Sequence, residues 1–94
     1  MKVLVSSKAL GQILKDMIEE PQAVVFLSAG IGAGSLIFVN QTGRSEMFVS
    51  SDSQDAAIVV NARWQSFIRD VTAIEDRPIV VQFSEEAIYF ELKY

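Results

Sequence analysis

The sequence predicts an α+β domain in which a strand–helix–strands unit occurs twice. Three observations carry this expectation. Leu4-Val5, Ser7, Leu10 and Ile13-Leu14-Lys15-Asp16-Met17 recur 54 positions later as Ile58-Val59, Asn61, Trp64 and Phe67-Ile68-Arg69-Asp70-Val71, with apolar residues on apolar, cation on cation and Asp on Asp. Two segments space their apolar residues as one face of a helix, and the runs around them have strand length and are punctuated by Gly, Pro, Asn and Ser.

The first unit, about residues 1–50, opens with a strand at 2–5. Ser7 then stands as the N-cap of a helix over about 8–19, with Leu10, Ile13, Leu14, Met17 and Ile18 as its buried stripe and Pro21 as its stop. Strands follow near 23–28, 35–40 and 46–50. The second unit, about 56–94, repeats the strand at 56–60 and uses Asn61 as the matching N-cap. Its helix over about 62–74 has the stripe Trp64, Phe67, Ile68, Val71 and Ile74, and the cluster Glu75-Asp76-Arg77-Pro78 ends it. Strands at 78–83 and 87–94 complete the chain, with no linker or low-complexity tract to divide it, so residues 1–94 are read as one domain. Trp64 and Phe67 fall at core spacing, which favours packing over base stacking.

A chain of 94 residues with 50% hydrophobic and 21% charged residues has the composition of a folded domain. It contains no cysteine and no histidine, so disulfides, thiolate chemistry and the commonest general base and metal ligand are all missing. The lack of cysteine is in keeping with a cytoplasmic location. Met1-Lys2-Val3-Leu4-Val5-Ser6-Ser7 turns polar too soon for the apolar region of a signal peptide, and no export is expected. Residues 21–42 carry no charge and approach the length of a membrane span. The cluster Ala29-Gly30-Ile31-Gly32-Ala33-Gly34 at their middle reads instead as a turn between two buried strands, so no membrane contact is expected.

Few residues suggest chemistry. The glycines of 29–34 resemble a phosphate cradle, but that device leads into a helix N-terminus, and here a strand follows. A small-molecule site at these backbone amides is the third-ranked possibility. Asp52 and Asp55 lack the ligand order of a calcium loop, and the adjacent pairs Glu19-Glu20 and Glu85-Glu86 belong on helix ends and turns facing water. Ser6, Ser7 and Asn61 serve as caps, with no histidine to activate a hydroxyl. No catalytic residue, metal ligand or cofactor site is assigned.

The distribution of charge says more. The net charge is -4, yet residues 8–18 and 62–72 hold Lys8, Lys15, Arg63 and Arg69 against only Asp16 and Asp70. All the remaining carboxylates lie elsewhere, although Glu19 and Glu20 follow the first span directly. Lys15 and Arg69 occupy equivalent repeat positions on the polar sides of their helices. Such faces are either ordinary solvated helix surfaces or a local cationic surface on an acidic chain.

With its opening Met1-Lys2-Val3-Leu4-Val5-Ser6-Ser7-Lys8-Ala9-Leu10 and the later Ile58-Val59-Val60-Asn61-Ala62-Arg63-Trp64 entering a helix, the duplicated unit resembles one domain of a DNA sliding clamp. The likeness is nearest to the N-terminal domain of the bacterial DNA polymerase III beta subunit and more distant to proliferating cell nuclear antigen. The resemblance implies two helices packed on antiparallel sheets, with the helices facing duplex DNA and several domains closing a ring. It implies a non-enzymatic, processivity-factor-like role in DNA replication, in which Lys8, Lys15, Arg63 and Arg69 meet phosphates without reading bases. A homo-oligomer or protein partner would complete the ring. The alternative is an assembly module of the same architecture that does not encircle DNA and joins copies or partners through an open sheet edge near Tyr94.

Overall fold

Strands and helices appear in the order expected. The computed structural model describes residues 1–93 and contains β1 (Lys2–Ser6), α1 (Ser7–Asp16), β2 (Ala23–Gly30), β3 (Ala33–Asn40), β4 (Gly43–Ser50), β5 (Ala56–Val59), α2 (Trp64–Ala73), β6 (Pro78–Phe83) and β7 (Ile88–Leu92). The strand expected over 87–94 ends at Leu92, and Tyr94 lies outside the described residues. The fold is mixed α/β, with two helices against one curled antiparallel sheet of seven strands in the order β5-β2-β3-β4-β1-β6-β7. One sheet thus replaces the separate sheets expected, but its halves meet at a single bridge, Leu4↔Ser50.

Residues 21–42 form the β2–β3 hairpin, and none of the described helices is long and apolar enough to cross a membrane. Gly32, with φ 74°, makes the turn that a side chain would resist. At the next turn the buried Asn40 accepts from the Thr42 amide at 2.9 Å and the Gly43 amide at 3.1 Å, while its own amide donates to the Glu19 carbonyl at 2.8 Å. Its bond to Glu19 anchors the segment after α1, a helix shorter than expected. The helix stops at Asp16, and Ile18, assigned to the buried stripe, is 87% exposed.

Alternate residues of the inner sheet face, Val3, Val5, Val24, Phe26, Leu36, Phe38, Val49, Ile79, Val81 and Phe83, meet Leu10 and Leu14 of α1 and Trp64, Phe67 and Val71 of α2 in one core. Ile13, Met17, Ile68 and Ile74 pack at its margin, half-buried. Trp64 sits edge-on to Phe38 at 5.9 Å and to Phe67 at 6.0 Å, and its buried indole N–H has no hydrogen-bond partner among the described residues.

The caps differ from the pairing of Ser7 with Asn61 that the repeat suggests. Ser6 caps α1, its hydroxyl accepting from the Ala9 amide at 3.2 Å, whereas Ser7 is buried as the first helical residue. The Ser7 hydroxyl donates to the Glu75 carbonyl at 3.3 Å and accepts from the Arg77 amide at 3.1 Å, so it fastens α1 to the loop that follows α2. Helix α2 begins only at Trp64, with Arg63 at the cap position and no side-chain cap bond. Asn61 lies two positions before that cap, its backbone amide donating to the Glu85 carbonyl at 2.8 Å.

Candidate nucleic-acid interface

Helices α1 and α2 lie side by side on one side of the sheet, and their approach depends on Gly11. A β-carbon there would stand 2.9 Å from the Thr72 methyl and 3.4 Å from Val71 Cγ1. The close contact leaves a shallow groove of about 220 Å3 along the helix pair. Lys8, Gln12 and Lys15 line it from α1, since positions 8, 12 and 15 fall on one helical face. Thr72 and Asp76 line the other side.

Of the four cations singled out in the sequence, Lys8 and Lys15 therefore share this groove, and both are exposed. Arg69 stands one turn before Thr72 on α2, exposed, with its Nε 3.4 Å from the carboxylate of its neighbour Asp70. An exposed pair of this kind contributes little to stability and is readily exchanged for another anion. Arg63 is also exposed but precedes α2 and does not line the groove. The equivalence of Lys15 and Arg69 is also looser than their spacing implies, because α2 starts and ends three positions late relative to the repeat: α1 covers Ser7–Asp16 and α2 covers Trp64–Ala73.

The residue that sequence reading missed is Asp76, taken only as part of a helix stop. Its Oδ1 accepts from the Ser6 hydroxyl at 2.7 Å and from the Lys8 amide at 3.3 Å, so a carboxylate from across the fold joins Ser6 at the N-terminus of α1. No local signal reveals a cap supplied from about 70 positions away in sequence. The Ser6 hydroxyl and then the Lys8 amide hold the Asp76 carboxyl below the ordinary carboxylate range, against a desolvation effect smaller than either hydrogen bond, and the Lys8 charge adds the least. A carboxyl whose pKa is depressed on folding stabilises the fold above its unfolded pKa, and that contribution disappears as pH falls through the folded value. Asp76→Ala is accordingly expected to lower the melting temperature at neutral pH. The gap from the parent should begin to narrow as pH falls below about 4, the unfolded carboxyl pKa, and close only once pH has dropped below the depressed folded value. A constant gap across the acid range in a melting series would contradict this role.

The other candidates assemble no chemistry. Ser6 and Ser7 are engaged as described, and the Ser28 amide beside the 29–34 turn already donates to Asp55 at 2.7 Å, which sets a carboxylate where an anionic ligand would lie. Ile31 at the tip of that turn is fully exposed. Among the described residues, no group of three or more acidic, His or Cys side chains is arranged to hold a metal ion. Comparison of the chain with protein-family models, curated proteins and solved structures gave no match.

Proposed function

We propose that the chain is a clamp-like, non-enzymatic DNA-associated domain whose helix pair faces the phosphates of a duplex. The observation that carries this reading is the side-by-side helix pair with Lys8 and Lys15 in one groove and Arg69 one turn away. Strand pairing supports the duplicated architecture behind it. β1 pairs along its whole length with β6, and β5 pairs with β2, so the first strand of each unit lies beside the second strand of the other. An internal two-fold rotation relates such an exchange, and it sets the two helices as neighbours.

The cationic excess in the groove is small because Asp76 shares it with the two lysines. Contacts of this kind read no base edges, and each phosphate neutralised contributes a salt-dependent increment through counterion release. Lys15→Glu together with Arg69→Glu should abolish duplex binding at low salt, measured by fluorescence anisotropy with a labelled duplex. Both side chains are exposed, so the melting temperature should stay within a few degrees of the parent. A folded double variant that binds as the parent does would refute the helix-face interface.

A second reading, an assembly module that joins copies without encircling DNA, is favoured by β7. It lies at the edge of the sheet with its inner-facing Ile88, Phe90 and Leu92 only half-buried.

A further inference from the structure

We infer that two copies of this chain join through β7, edge to edge and antiparallel, about a two-fold axis passing through Phe90. The inference deepens the assembly reading and rests on it; it does not require DNA.

The direction of the backbone groups decides which residues are available. The Lys93 amide donates to the Pro78 carbonyl at 3.0 Å, and the Ser84 amide donates to the Ala87 carbonyl at 3.0 Å. With Val80↔Glu91 and Gln82↔Tyr89 in the same register, antiparallel alternation turns the backbone groups of residues 87, 89, 91 and 93 toward β6. Those of Ile88, Phe90 and Leu92 point out of the sheet, where no strand among the described residues meets them. The side chains of these three lie opposite the buried Phe83, Val81 and Ile79, yet stay half-buried themselves because no strand among the described residues flanks them on the outer edge.

β7 spans Ile88–Leu92, so Phe90 is its midpoint. An axis there sets Ile88 opposite Leu92 of the second copy, Phe90 opposite Phe90 and Tyr89 opposite Glu91. Every pair of even-numbered residues is then of the hydrogen-bonded kind, and each outward amide and carbonyl of the strand finds a partner. The half-buried apolar row continues unbroken across the join. An axis at Glu91 instead opposes two carboxylates and shortens the ladder, a destabilising arrangement. The other edge of the sheet is a poorer contact. The Val60 amide donates to the Gln22 carbonyl, which by alternation turns Ile58 toward β2 and leaves only Ala57 and Val59 of the four-residue β5 facing outward.

The test is sedimentation over a concentration series, combined with residue-resolved amide exchange. A short ladder gives a weak dimer. The amides of Ile88, Phe90 and Leu92 should be protected when the protein is concentrated and lose protection on dilution, whereas those of Tyr89 and Glu91 stay protected by β6. Tyr89→Lys alone sets an ammonium opposite Glu91 and should keep the dimer. Tyr89→Lys with Glu91→Lys sets cations opposite cations on both sides of the axis and should raise the dissociation constant about tenfold. A dimer whose Ile88, Phe90 and Leu92 amides exchange freely would overturn the β7 contact and leave the assembly reading intact. A particle that is monomeric at every concentration would overturn both.

Discussion

Phe67→Ala should remove about 3–5 kcal/mol of folding free energy, the range found for deleting a buried aromatic ring. Phe67 is 6% exposed and joins the two ends of the core, edge-on to Trp64 at 6.0 Å and to Phe90 at 5.8 Å. Truncation forfeits its transfer free energy and both edge-to-face contacts, and it leaves a space beside Trp64 and Phe90. Against a typical domain stability of about 5–15 kcal/mol, the loss is a large share of the whole. Urea denaturation reads it as a shift in midpoint at unchanged slope. Ile18→Ala is the internal control: the side chain is 87% exposed and should shift stability by no more than about 0.5 kcal/mol. Similar shifts for the two variants would show that the inner face of α2 is not the core.

Gly34→Ala should destabilise the domain by about 1–3 kcal/mol even though it adds a single methyl. Gly34 is buried on the inner face of β3, where the ring of Phe26 from β2 lies across it. A β-carbon there would overlap the ring edge and stand 2.5 Å from the Leu27 carbonyl oxygen. The carbonyl belongs to the backbone and cannot swing aside. Phe26 itself is fully buried among core residues, so relief requires moving the ring or parting the hairpin. The same substitution at Gly43 meets nothing within 4 Å, although its φ of 154° makes a side chain unfavourable for a different reason. A Gly34→Ala variant as stable as the parent would mean that the Phe26 ring does not lie over this glycine.

Periodicity made the strands and helices legible because each buried face repeats along the chain. Leu10, Leu14, Trp64, Phe67 and Val71 are buried as their spacing requires, and β6 begins and ends where its apolar run does. What failed to show locally depends on contacts between distant segments. Adjacent serines give no sign of which one caps α1. Ser7 is excluded only because Glu75 and Arg77 claim its hydroxyl from the far side of the fold. Asn61 looks like a cap, yet α2 begins only at Trp64, and α1 stops at Asp16 with Met17 already extended where the apolar spacing continues. At the candidate interface, helical spacing placed Lys15 on the polar side of α1, and Lys8 entered only through the local excess of cations. Their groove with Thr72, and the presence of Asp76 in it, follow from the close approach at Gly11, which the sequence does not announce.

The most direct measurement is equilibrium binding of the native particle to unrelated duplexes at salt concentrations from about 50 to 200 mM. A helix pair facing phosphates predicts weak binding, equal for all sequences, with log affinity falling linearly against log salt. Its slope should correspond to a few phosphate contacts and flatten when Lys15 and Arg69 are reversed in charge. Absence of binding at the lowest salt, or binding that distinguishes sequences and ignores salt, would contradict a phosphate-facing role for the helices.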